Sequence, residues 1–398
     1  MKSSADLGSE RRIDAGARVE AVRARRLGRG SGSPAIPAWA RCALRPPTRS
    51  WPEHADEYLV EVVCADGAIG RYGPCSATTV RVIADQLAPL VLGMDVSAFR
   101  LLRGAMVGRH RSGAHVRVAV SAVELAVLDA AARRCGVSVA RLLGGPTRER
   151  VPGYASALGL DVDHPIAADV AAWLAEQGYW GQKWFLPGFI RGEEPRRDAA
   201  RLEGLRAAAG ADARVMVDAG GTWSDDYALR MIPALHATQV AWLEEPFDHR
   251  VAADWARLRS SSPVPLAAGE HAYDRTAQLY LLIDRVVDVW QPDVGWAGGI
   301  EEALWSVELA ATLGLRTFPH GGSLAGALAL AGLTAPADVP AVEYHLTQAP
   351  RRESVMAQPM EPRGGWLPVP QRPGLAEGYL LPDGAPATLL AGRTDAVG

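Results

Sequence analysis

The chain has 398 residues, 48% hydrophobic and 22% charged, ordinary proportions for a soluble globular protein and enough length for two domains or one large barrel with an appendage. Lys+Arg 42 against Asp+Glu 45 gives a net charge of −3, which argues against a nucleic-acid binder working through bulk charge, and no apolar run reaches the roughly eighteen residues of a membrane span. The polar N-terminus lacks the apolar core of a signal peptide, and four cysteines without paired spacing (Cys42, Cys64, Cys75, Cys135) fit structural thiols in a reducing cytoplasm.

Residues 1–18 show no hydrophobic periodicity and are expected to be disordered. An α+β unit is expected over 19–146. Within it, EYLVEVVCADGAIGRYG reads as a hairpin turning at Asp66-Gly67. The Pro/Ser/Arg-rich stretch before it reads as a long loop. Three helical patterns follow, the last being SAVELAVLDAAARRCG with Gly136 at its C-terminal stop. Over 147–348 the rhythm changes to eight β-type runs, starting 22 to 33 residues apart, each followed by helical text. One βα unit needs about thirty residues, so this predicts a (β/α)8-type barrel. The Pro/Gly-rich tail, 349–398, lacks that rhythm and is expected to pack back on the first unit or over the barrel.

The chemistry of such a barrel sits at the C-terminal ends of its strands. The third to eighth runs end at or near Asp218, Glu244-Glu245, Glu270, Asp293, His320 and Glu343. Three carboxylates from adjacent strands repel one another at low dielectric unless a hard divalent cation such as Mg²⁺, which takes oxygen ligands, sits among them. The competing reading is that each acid caps the helix after its strand. His320 and Asp293 end neighbouring strands, and an aspartate beside a histidine fixes its tautomer and raises its basicity.

The segments VMVDAG, AWLEEPF, PLAAGEHAYDR, VVDVWQPDVGWAGGI and RTFPHGGS resemble, in order and spacing, the mandelate racemase subgroup of the enolase superfamily. LDAAARRCGVSVARLLGG resembles the end of that family's N-terminal capping domain. The resemblance implies a modified (β/α)7β barrel with an α+β capping domain completed by the C-terminal tail. It implies Mg²⁺ on Asp218, Glu244 and Glu270, with Glu245 in support or idle, and His320–Asp293 as the base that removes the proton next to a substrate carboxylate. The cation then stabilises the negative charge of the resulting enediolate. Glu343 matches the eighth-strand acid, expected to be protonated and to donate to the substrate carboxylate.

At the second strand, Gly181-Gln182-Lys183-Trp184 offers one lysine where racemases of the subgroup carry Lys-x-Lys. Lys183 matches the second of these and is either a second base or a carboxylate binder. QPDVGWAGGI with PHGGS is closest to acid-sugar dehydratases of the L-rhamnonate dehydratase type, which convert an acid sugar to a 2-keto-3-deoxy acid. The alternatives are a racemase or epimerase of a 2-hydroxy or amino acid, and a non-catalytic sugar-acid binder. The family places specificity in capping-domain loops, here Arg45 to His54, with Arg45, Arg49 and His54 as candidates, and Gly73 to Thr79. Trp184, Trp223 and Trp296 are candidate pocket walls. A small-molecule carboxylate is the expected partner, and a homo-oligomer the expected assembly.

Overall fold

Three strands open the fold: β1 (Val19–Arg26), β2 (Glu57–Cys64) and β3 (Ile69–Ser76), paired antiparallel. The β2–β3 hairpin turns where Asp66-Gly67 predicts, with Gly67 at φ 83° and the Asp66 carboxylate accepting the Ala68 N–H. The structure is a computed structural model that describes residues 15–27, 33–45, 57–108, 113–248, 252–382 and 384–392. Of the segment expected to be disordered, residues 15–17 form one helical turn and Arg18 bridges to Asp95.

The long helix of this unit runs from Ala114 to Arg134, seven residues earlier than the sequence pattern suggests. Every residue from Ala119 to Ala132 is buried, because the helix lies between two layers. Val120, Val123 and Val127 pack with the sheet, whereas Leu125, Leu128 and Ala132 pack with the barrel. Contact with the sheet is close enough that a Cβ at Gly70 would lie 2.0 Å from the Ala126 carbonyl oxygen. A helix buried on both faces has no amphipathic stripe to mark its start.

Each of the eight β-type runs contains a strand: β4 (Arg150–Ser156), β5 (Gln182–Phe185), β6 (Val215–Asp218), β7 (Leu243–Glu244), β8 (Leu266–Ala268), β9 (Val289–Trp290), β10 (Arg316–Thr317) and β11 (Val342–His345). They pair in parallel in the order β10-β9-β8-β7-β6-β5-β4-β11. The curl brings β11 back to the chain after β10, where the Glu343 N–H donates to the Pro319 carbonyl at 3.2 Å. Helices of 9 to 15 residues follow β4 to β10, but among the described residues only the short helix Gln348–Glu353 follows β11. The architecture is therefore the (β/α)7β barrel of the resemblance rather than a full (β/α)8.

Beyond it, β12 (Trp366–Pro368) pairs antiparallel with β4, and β13 (Ala387–Gly392) pairs with β1 to complete a four-stranded capping sheet. Among the described residues no helix is long and apolar enough to cross a membrane.

The tail is held by a buried acid. Glu353 accepts the Met360 N–H at 3.1 Å, and burial pushes its carboxyl up from the ordinary 4.5 to about 7, against that bond and Arg352. A raised acid pKa stabilises the fold fully below the unfolded value and loses that contribution as pH climbs through the folded one. Relative to Glu353→Gln, the wild type should therefore lose on the order of 3 kcal/mol between pH 4.5 and 7 and little more above it. Paired denaturant titrations across that range check this. A pH-independent gap between the two proteins contradicts it.

Candidate active site

Parallel strands deliver their last residues to one rim. Asp218 and Glu244 close β6 and β7, Glu270 follows β8 through Gly269, Asp293 follows β9, His320 follows β10, and Glu343 lies in β11. The six sequence candidates are all brought to this end of the barrel. Asp293 and Glu343 are fully buried, and Asp218 and Glu244 nearly so.

Lys183 is buried at the centre of this rim. Its ammonium donates to Glu244, lies 3.1 Å from Asp218 Oδ2 and 2.9 Å from Glu343 Oε1. Burial opposes the charge, but Glu244, Glu343 and Asp218 outweigh it and hold the lysine well above its ordinary pKa. The strand register also differs from the sequence match. Phe185, not Lys183, stands level with Asp218, and Lys183 sits one inward-facing position deeper.

His320 and Asp293 are brought together. His320 Nδ1 lies 2.5 Å from Asp293 Oδ2, and Asp293 Oδ1 accepts the Gly295 N–H at 2.7 Å. His320 Nε2 lies 3.1 Å from Glu270 Oε2 and 3.6 Å from Glu343 Oε2. Burial works against the imidazolium, but Glu270, Glu343 and Asp293 push His320 up to about 10. Glu343 departs from the expected protonated donor. It accepts the Gly321 N–H at 2.9 Å, and although burial opposes ionisation, Lys183 and His320 keep its pKa low. Here it is an anionic acceptor.

The donor chemistry suits a hard cation. Asp218, Glu244, Glu245, Glu270, Asp293 and Glu343 face Lys183, His271 and His320, so even with both rings protonated the rim carries surplus negative charge. Glu245 Oε1 is buried without a hydrogen-bond partner. Asp218, Glu244 and Glu270, the expected Mg²⁺ ligands, do not share one centre in this arrangement. Asp218 and Glu244 turn to Lys183, while Glu270 turns to His320 and His271. Among the described residues, the group of possible ligand atoms lying within 4.8 Å of one another is instead Glu245, Glu270 and His271. Glu245 Oε2 pairs with His271 Nδ1 at 2.7 Å, from a residue held at φ 37°.

Beside this group opens a cavity of about 630 Å³, lined by Gly220, Gly221, Glu245, His271, Tyr273 and Asp274 among others. Of the three tryptophans, only Trp296 reaches the site, its ring centroid 4.9 Å from that of His320. Trp184 is fully buried and bonded to Gln182, on the opposite strand face from Lys183, and Trp223 packs on Tyr227 in the core. Arg45 stacks over Phe185 at 4.8 Å and donates from Nε to the Leu160 carbonyl. Arg49 and His54 lie outside the described residues. The expected loop from Gly73 to Thr79 is strand through Ser76, which then caps a helix by accepting the Thr79 N–H.

Sequence reasoning missed Gln291 and Trp242, which donate to Glu244 Oε2 at 2.6 and 3.0 Å. Gln291 is two residues before Asp293, so strand alternation could have found it. Tyr72 was also missed. A Cβ at Gly295, beside Asp293, would lie 3.0 Å from its hydroxyl.

Residues 53–144 match the mandelate racemase / muconate lactonizing enzyme N-terminal domain, and residues 165–377 match the enolase C-terminal domain-like family. The D-galactarolactone cycloisomerase of Agrobacterium fabrum is 29% identical over 336 residues, 80% of this chain and 87% of that protein. The arabinonate dehydratase of Saccharolobus solfataricus is 30% identical over 347 residues, 83% and 90% of the two chains. Among solved structures, a racemase from Streptomyces coelicolor A3(2) with bound magnesium shares the fold at TM-score 0.75, with 24% identity over 91% of this chain and 97% of that one. The chain belongs to the enolase superfamily, in its mandelate racemase subgroup.

Proposed function

We propose that the protein is a Mg²⁺-dependent lyase that dehydrates an acid sugar to a 2-keto-3-deoxy acid. The observation that carries this is the presence of one candidate base. His320 is part-exposed and paired with Asp293, whereas Lys183 is wholly buried among three carboxylates and Phe185 occupies the position level with Asp218. A racemase needs a base on each face of the reacting carbon; an elimination needs one group that takes a proton and returns it.

His320 Nε2 takes the C2 proton, and the C2–H electrons pass toward the substrate carboxylate. Asp293 holds the imidazolium in place on Nδ1. The C3 hydroxyl leaves with the proton returned by His320, so water departs, and the enol tautomerises to the 2-keto product. A cation on Asp218, Glu244 and Glu270 would supply stabilisation of the charge that builds on the substrate carboxylate. A second reading, ring opening of a sugar lactone, is favoured by the cycloisomerase relative. It expels a ring oxygen through the same single base, without release of water.

Screening acid sugars for 2-keto acid formation tests the reading. Chelation should abolish turnover while the far-UV spectrum is kept. Asp218→Asn, Glu244→Gln and Glu270→Gln should each weaken Mg²⁺ binding, read by calorimetry without substrate. Full turnover in chelator removes the metal from the proposal, and inversion at C2 without water loss replaces the lyase with a racemase.

A further inference from the structure

The segment that carries Asp293 is fastened from the capping domain. Between Asp293 and the helix Ile300–Thr312, the chain has glycine at 295, 298 and 299, with φ of 104° and 103° at the last two. Such a stretch does not hold itself, since each ordered residue loses about 1–2 kcal/mol of backbone freedom and glycine more than others. At its near end, Asp293 accepts N–H groups from Gly295 and Ala297.

At its far end the helix has no cap of its own, because Gly299 offers no side chain. The cap comes from the long capping-domain helix. Glu124 Oε2 accepts the Ile300 N–H and Oε1 the Glu301 N–H, both at 3.1 Å, and Ser121 Oγ accepts the Gly298 N–H at 2.9 Å. A carboxylate suits a helix N-terminus on both charge and hydrogen bonding. The fit requires glycine opposite it, since a Cβ at Gly299 would lie 2.3 Å from Glu124 Oε2. Trp296, in the same segment, lies against His320. Both contacts on the His320 ring from this segment therefore hang between the two fastenings.

We propose that Glu124 is a positioning residue for the Asp293–His320 pair, acting across the domain boundary by capping the helix after β9. The proposal rests on the reading of His320 as the base. A displacement of about 1 Å at a reacting group is worth some 10²-fold in rate. Glu124→Gln replaces one acceptor with an NH₂ that faces a backbone N–H, and should lower kcat roughly 10- to 100-fold with KM within about threefold. Ser121→Ala, which keeps the carboxylate, is the milder variant and should lower kcat about threefold.

The control is Asp129→Asn, because Asp129 lies on the same helix and is equally buried, but accepts the Arg71 and Leu375 N–H groups rather than those of the helix after β9. The full chain is compared as wild type, Glu124→Gln, Ser121→Ala, Asp129→Asn and His320→Asn. The readouts are thermal midpoint, kcat, KM, exchange of the C2 proton in deuterated water, and the downfield proton resonance of the His320–Asp293 hydrogen bond without substrate. The expected result is that Glu124→Gln lowers kcat and exchange together and displaces the resonance, while Asp129→Asn lowers the thermal midpoint at least as much and leaves all three in place. Two results overturn the proposal: an undisplaced resonance in both Glu124→Gln and Ser121→Ala, or equal displacement in Asp129→Asn. If no acid sugar exchanges or reacts in the wild type, the dehydratase reading fails, and the resonance still decides the role of Glu124.

Discussion

Replacing His320 by asparagine should remove both dehydration and exchange of the substrate's C2 proton with solvent. General acid–base help contributes about 10²–10⁴-fold, and both proton steps pass through this one ring, so the loss should lie at or beyond the upper end. Asparagine is the suitable replacement. Position 320 immediately precedes the turn Gly321–Ser323, and asparagine is a strong capping residue, so the local fold should survive. Turnover and deuterium incorporation are followed by NMR on an active acid sugar. Exchange near the wild-type rate in this variant would move the base elsewhere on the rim.

Lys183→Met should be the most destabilising single change at the site. The ammonium is wholly buried, and its removal leaves Asp218, Glu244 and Glu343 facing one another. Removing one partner from a buried charge group costs about 3–5 kcal/mol. Denaturant midpoints measured with and without Mg²⁺ test this, and added cation should recover part of the loss by neutralising the freed carboxylates. The folded fraction should dehydrate slowly yet retain some C2 exchange, because proton capture belongs to His320. A variant as stable as wild type would mean that the lysine is not the counterion of the rim.

The strand-end rule made the site legible. Asp218, Glu244, Glu270, Asp293 and His320 could be placed on one rim because each closes a β-type run in a repeating βα text. Depth and sidedness within a strand were not legible in the same way. Trp184 was counted as a pocket wall although alternation with Lys183 puts it on the opposite face. The depth of Lys183 depends on the stagger between β5 and β6, which no local pattern encodes. The low pKa of Glu343 was missed because it is set by Lys183 and His320, residues distant in sequence. The domain contact through Glu124 was hidden for the same reason as the start of its helix, which is buried on both faces.

The pairing of β1 with β13 sets a timetable for the nascent chain. Arg25 waits for Ala387, about 360 residues later, before that edge of the capping sheet is covered. At a synthesis rate of roughly 5–20 residues per second, this is on the order of 20–70 s. All eight barrel strands emerge in the interval, while β2 covers only the other side of β1. An open strand edge is a template for pairing with another chain. The ribosome-bound intermediate is therefore a nearly finished barrel whose capping sheet ends at β1, and pairing with β13 moves that edge one strand outward.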